Sequence, residues 1–108
     1  MAAMHDFKAE LFKALGHPTR LRILELLSTG EKTVSELQIA LEIEASSVSQ
    51  QLSIMRSRQL LDARKNGTKV FYTVRDPLIG NLLSIARQIF ENQVTNMNSM
   101  LEAERDLD

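Results

Sequence analysis

Hydrophobic positions along the chain recur with two different periods, and the places where the period changes divide it into elements. Phe7, Leu11, Phe12 and Leu15 step at helical intervals until Gly16, His17 and Pro18 stop them, which predicts a first helix over 5–16. Pro18 suits the first turn of a second helix, because the N–H it lacks is unpaired there anyway. Leu21, Ile23, Leu24, Leu26 and Leu27 make that helix largely apolar, and Ser28, Thr29 and Gly30 end it. Of its two arginines, Arg20 and Arg22, the second is read as solvated. Thr33 and Glu36 have the spacing of a capping box, so a third helix begins near Val34 with Leu37, Ala40 and Leu41 turned inward. Glu42 to Ala45 is a short turn into a fourth helix, Glu44 to Arg58. There Ala45, Val48, Leu52 and Met55 fall on one side, and Ser46, Ser49, Gln50 and Ser53 on another. Glu44 is a poor N-cap by residue type, although its carboxylate suits the helix dipole.

After Gln59 the pattern alternates. Leu61, Ala63 and Lys65 face one way and Asp62, Arg64 and Asn66 the other; Asn66-Gly67 is the dipeptide that most favours a two-residue hairpin turn. Lys69 to Val74 returns as a second strand, with Val70, Tyr72 and Val74 opposed to Lys69, Phe71 and Thr73. Asp76 and Pro77 then start a last helix, about Leu78 to Glu102, and Arg105 to Asp108 reads as a frayed tail. The stripe Ile79, Leu82, Leu83, Ala86, Ile89, Phe90, Val94, Met97, Met100 and Leu101 is longer than one small core can cover. A second copy of the chain is the economical cover, with the first helix joining the same interface. The expected dimer contacts are Phe7, Leu11, Leu82, Ile89, Phe90, Met97, Met100 and Leu101.

The expected fold is therefore mainly α with a β-hairpin, five helices and two strands. The 108 residues form one domain, in which 33–58 is a helix-turn-helix, 60–75 a wing, and 5–16 and 78–102 the dimerisation helices. A solvated surface helix is normally rich in Glu and Lys. A polar side built of Ser and Gln, with Arg only at its end, implies instead a helix that is read by a partner, and the groove of double-stranded DNA is the candidate.

Charge narrows the picture. The chain carries 13 basic and 14 acidic residues, but they are unevenly spread: five and six over 1–43, six and two over 44–75, two and six over 76–108. The basic excess lies in the fourth helix and the wing, as a phosphate-contacting surface requires. The expected base contacts are Ser46, Ser47, Ser49 and Gln50, with Gln50 the strongest because a carboxamide pairs in bidentate fashion with adenine. The expected backbone contacts are Ser53, Arg56, Arg58, Arg64, Lys65, Thr68 and Lys69; the wing cations Arg64, Lys65 and Lys69 can reach phosphates or the minor groove, or equally can serve to protect an edge strand.

Zero cysteines exclude disulfides, thiolate metal sites and thiol redox switches. His5 and His17 are isolated, and His17, beside Pro18, reads as a local cap or packing group rather than a ligand. Met97 and Met100 read as dimer packing. Without a nucleophile, base and orienting group, and with no Gly-rich phosphate loop, no catalytic site can be assembled. No metal or cofactor is expected, and no run is apolar and long enough for a signal or membrane span, so the cytoplasm is the default location.

The order of elements, with the segments FKALGHPTRLRILELL, TVSELQIALEIEASSVSQQLSIMRSRQLL and ARKNGTKVFYTV, resembles the ArsR/SmtB family of winged-helix repressors over about residues 7–101. The resemblance implies a homodimer bridged by its first and last helices, bound to a palindromic operator and usually released by a ligand. The chain departs from the metal-sensing members. One class has two cysteines in the helix corresponding to SELQIAL, where Gln38 and Ala40 stand here; another lines the final helix with histidines, and this chain has none after His17. A homodimeric repressor is the expectation. An activator of the same fold would look identical, and a winged-helix module that docks a protein is the alternative from another class.

Overall fold

The computed structural model describes residues 2–107, with helices α1 (Ala2–Leu15), α2 (Pro18–Leu27), α3 (Val34–Leu41), α4 (Ala45–Ser57) and α5 (Leu78–Leu107) and strands β1 (Leu61–Asn66) and β2 (Lys69–Val74). Both end helices outrun their expected limits. α1 begins at Ala2 rather than near residue 5, and α5 runs through Leu107 rather than stopping at Glu102. The added segments, AAM and the residues after Glu102, lack Gly and Pro and contain good helix formers, so no local signal ends the helix there. Asp108 of the expected tail lies outside the described residues.

Internal contacts divide the chain into two units, one ending at Pro77 and one beginning at Leu78. In the first, α2, α3 and α4 pack on one another and α4 packs on β1. Its core comprises Ile23, Leu24 and Leu27 of α2, Leu37 and Leu41 of α3, Val48, Leu52 and Met55 of α4, and Leu60 and Leu61 at the root of the wing; Ala14 and Leu15 join from the end of α1. Two expected inward residues are exposed. Ala40 sits on the shoulder of a helix whose buried line is Leu37 and Leu41 alone, and Ala45 stands in the first turn of α4, ahead of Val48, its first buried residue.

Local chemistry places the helix starts. His17 caps α2: its Nδ1 accepts from the N–H groups of Thr19 (3.2 Å) and Arg20 (3.4 Å). Thr33 and Glu36 form the expected capping box, the Thr33 hydroxyl accepting from the Glu36 N–H at 3.2 Å and the Glu36 carboxylate from the Thr33 N–H at 3.1 Å. Glu42 ends α3 in the left-handed region (φ 56°, ψ 42°) while its N–H still donates to Gln38. That single reversed residue, usually glycine at such a cap, turns the chain sharply into α4.

The strands pair antiparallel from Leu61 opposite Val74 to Asn66 opposite Lys69, so the two loop residues are Gly67 and Thr68. The turn thus lies one residue beyond the Asn66-Gly67 pair read from the sequence. Gly67 has φ +67°, and neither Asn66 nor Thr68 is left-handed, which is the pattern of a turn needing glycine at its first central position rather than of an Asn-Gly turn. The expected alternation is also blurred: Phe71 and Thr73 are half-buried like Val70, Tyr72 and Val74. A feature without any sequence signal borders the wing. Lys32 and Tyr72 exchange backbone hydrogen bonds (3.2 and 2.9 Å), so the α2–α3 connection lies along the outer edge of β2.

Helix α5 forms the second unit by itself, 30 residues and about 45 Å long at ~1.5 Å per residue. Leu82 and Leu83 are half-buried, whereas Ile85, Ile89, Phe90, Val94, Met97, Met100 and Leu101 are exposed.

Candidate nucleic-acid interface

On α4 the buried line Val48, Leu52, Met55 fixes the rotation of the helix about its axis, and the opposite face follows from the period of 3.6. Ser46, Gln50, Ser53 and Ser57 run along that face. Ser49 and Arg56 flank the line on one side and Ser47 on the other, and all seven are exposed. Of the residues expected to read bases, Ser46 and Gln50 share the outer face, and Ser49 and Ser47 stand at its two edges. Ser57 was not foreseen; its hydroxyl donates to the Ile54 carbonyl at 2.7 Å.

The start of α4 differs from those of α2 and α3. Glu44 has the extended backbone of an N-cap, but its side chain makes no capping hydrogen bond. With Ala45, Ser46 and Ser47 all exposed, the first turn of α4 stands clear of the core.

The expected backbone contacts separate into two groups. Arg56, Lys65 and Lys69 are exposed and form no ion pair among the described residues, and Ser53 and Thr68 are exposed as well. Arg58 and Arg64 are engaged within the protein. Arg58 donates to Glu10 of α1 at 3.2 Å. Arg64 donates to both oxygens of Glu31 (3.0 and 2.9 Å), and its guanidinium carbon lies 5.1 Å from the centre of the Phe71 ring. The missed carboxylates lie 48 and 33 positions away in the chain, too far for any local pattern to reveal. Arg75, which the sequence did not single out, donates to Asp62 (2.9 Å) and Gln59 (3.4 Å) beside a polar cleft lined by Ser53, Arg56, Ser57, Asp62 and Ala63.

The face bordering the start of α4 has the opposite character. An open groove there is lined by Ser35, Gln38, Ile39, Glu42, Ile43 and Glu44, with Ile39 78% exposed. Its apolar floor and two carboxylates repel phosphate, so the interface is bounded on that side. Arg22, read as solvated, is exposed and reaches the Leu41 carbonyl at 3.5 Å.

Among the described residues no group of three or more His, Cys, Asp or Glu side chains converges as a metal would need, and no helix is long and apolar enough to cross a membrane. Of the residues expected to meet a second copy, Phe7 of α1 and Ile89, Phe90, Met97, Met100 and Leu101 of α5 are exposed, and Leu11 and Leu82 are half-buried; Phe12 of α1 is exposed as well.

Known proteins resemble the chain in sequence and fold. A model of the family described as bacterial regulatory protein, arsR family, matches residues 17–62, from the α2 cap to the first residues of the wing. The uncharacterized HTH-type transcriptional regulator Rv0081 of Mycobacterium tuberculosis is 37% identical over 100 residues, covering 92% of this chain and 88% of that one. Its crystal structure superposes with a TM-score of 0.79 over 87% of this chain and 95% of that chain. A transcriptional repressor SmtB homolog of Synechocystis is 40% identical over 74 residues, 68% of this chain and 56% of its own length. The solution structure of the homodimeric winged helix-turn-helix DNA-binding domain of Mb0332 from Mycobacterium bovis, 28% identical, has a TM-score of 0.78 over 88% of each chain. These relatives are regulators and not enzymes, and the chain belongs to the ArsR family as a winged helix-turn-helix transcriptional regulator.

Proposed function

We propose that the chain is a cytoplasmic homodimeric repressor whose two α4 helices enter successive major grooves of a palindromic operator, about one helical turn or roughly 34 Å apart. The observation that carries this reading is the exposed, uncharged polar face of α4, whose first turn stands clear of the core and whose last turn carries Arg56; Arg56, Lys65 and Lys69 are exposed and form no ion pair among the described residues. Ser46, Ser47, Ser49 and Gln50 contact bases, and Gln50 supplies most of the discrimination because hydroxyls accept and donate to many partners. Ser53, Arg56, Lys65, Thr68 and Lys69 hold the phosphate backbone, with Arg58 and Arg64 reaching DNA from their internal ion pairs. The uncovered apolar residues of α1 and of α5 are buried against a second copy; a relative 28% identical to this chain is homodimeric. Repression follows by occlusion of the promoter.

The test is selection of duplexes from a random library by the purified protein, followed by footprinting and titration over a range of salt. The expected result is an inverted repeat protected on one face of the duplex, bound with a steep salt dependence. A protein that selects no sequence and binds duplex DNA without salt dependence is not this regulator; a module that docks a protein through the SSVSQQ face would behave so.

A further inference from the structure

Glu31 belongs to no helix and no core, yet its carboxylate is fixed against the wing. Its neighbour Lys32 is tied by two backbone hydrogen bonds to Tyr72, which anchors this stretch along the outer edge of β2. From there both Glu31 oxygens accept from a single nitrogen of Arg64, Nη2, at 3.0 and 2.9 Å. The guanidinium lies over Phe71, its cross-strand partner, with 5.1 Å from its carbon to the ring centre. One face of the group is thus covered by an aromatic ring and one nitrogen by a carboxylate, while Nη1 and Nε keep N–H groups to donate elsewhere.

The charge of this arrangement differs from that of the wing tip. Arg64 and Glu31 sum to zero, so a phosphate approaching the guanidinium from its free side also feels the carboxylate behind it, which offsets part of the attraction. A neutral acceptor suffers no such opposition and gains a donor already held in place. The neutral acceptors within reach of a wing are N3 of adenine and O2 of thymine in the minor groove. Lys65 and Lys69, exposed and without ion pairs, have the character that phosphates need. We infer that Glu31 turns Arg64 from a phosphate contact into a reader of minor-groove acceptors, and is therefore a specificity-determining positioning residue although it touches no DNA itself. The inference rests on the reading of the wing as a DNA contact.

The experiment uses the full chain as wild type, Glu31→Gln, Arg64→Ala and the double variant. The probe is a duplex selected by the wild type, in which A·T pairs under the wing are replaced either by inosine·cytosine, which keeps the minor-groove face of A·T, or by G·C, which adds an exocyclic amine there. Wild type is expected to tolerate inosine·cytosine and to lose roughly five-fold or more on G·C. Glu31→Gln frees Arg64 for phosphate: it binds all three duplexes more tightly, steepens the logarithmic salt slope by about 0.9 per wing, and discriminates less. Arg64→Ala loses discrimination without flattening the slope, and the double variant matches it. If Arg64→Ala instead flattens the slope by about 0.9 per wing and weakens all three duplexes equally, Arg64 is an ordinary phosphate contact and the role given to Glu31 is wrong. Unchanged discrimination in Glu31→Gln overturns it as well. Failure of the wild type to bind any duplex would overturn the DNA-binding reading itself, a separate and recognisable result.

Discussion

The guanidinium of Arg58, at the C-cap of α4, donates to the carboxylate of Glu10 on α1 at 3.2 Å, so an expected phosphate contact is tied to an expected dimerisation helix. Both side chains are largely exposed, at 43% and 64%, and exposed pairs of this kind contribute only about 0–1 kcal/mol. Glu10→Ala should therefore leave the midpoint of chemical denaturation almost unchanged. It should not weaken DNA binding, whereas Arg58→Ala should weaken it on every sequence alike. Equal losses from the two variants in a binding titration would mean that the pair acts by orienting α4 and that Arg58 does not reach phosphate.

Gln50 and Lys69 should fail in different ways. Replacing Gln50, exposed near the middle of the α4 face, with Ala should cost on the order of 1–3 kcal/mol at one base position and little elsewhere. Lys69→Ala should weaken all sequences and flatten the salt slope by roughly 0.9 per protomer. Titration of both variants against single-base operator changes separates them. Retention of full operator preference by Gln50→Ala would remove it from the readout.

Phe90 is 64% exposed in the middle of α5, within a line of uncovered Ile, Val and Met residues. Charge placed there should oppose burial against a second copy. Phe90→Glu is expected to sediment as a monomer with an intact circular dichroism spectrum and to bind operator far more weakly, because each half-site then binds alone. A Phe90→Glu protein that still sediments as a dimer would move the interface off this face.

Gly67 makes the wing turn at φ +67°, and a Cβ built there meets nothing within 4 Å. Gly67→Ala is therefore strained by backbone conformation alone, and a cost of about 1 kcal/mol is expected. Gly67→Asn should cost less, since Asn tolerates this region better. Denaturation midpoints ordered glycine, asparagine, alanine would agree; equal stability of all three would mean the turn relaxes to another type.

The Glu36 carboxyl titrates below its ordinary value of 4.5, because the Thr33 backbone N–H and then the Thr33 hydroxyl donate to it, with smaller help from Lys32 and Lys69. A carboxyl whose pKa is lower in the folded than in the unfolded chain stabilises the fold fully above the unfolded value. That stabilisation disappears as pH falls through the folded value. The difference in Tm between wild type and Glu36→Gln should hence be largest above about pH 5 and shrink as the solution is acidified below the ordinary carboxylate range. A difference that does not vary with pH would show that the charge of Glu36 contributes nothing to the cap.

Periodicity and capping chemistry by themselves determined the element order, the starts of α2, α3 and α4, the buried line of α4 and the polar face opposite it. These depend on interactions within four residues, which a linear pattern records directly. The same locality explains the small errors. The end helices ran on where nothing stops a helix, and the turn settled on Gly67-Thr68 because strand register, not the dipeptide, chooses the loop. Only the tertiary structure decided which cations are available. In the sequence Arg58, Arg64, Lys65 and Lys69 look equivalent, yet Glu10 and Glu31 engage the first two and leave the lysines unpaired, because folding brings distant carboxylates within 3.2 Å of particular guanidinium nitrogens. Coulomb energy depends on separation in space and not along the chain, so the serine and glutamine face of α4 was legible from residue types while the charge around it was not.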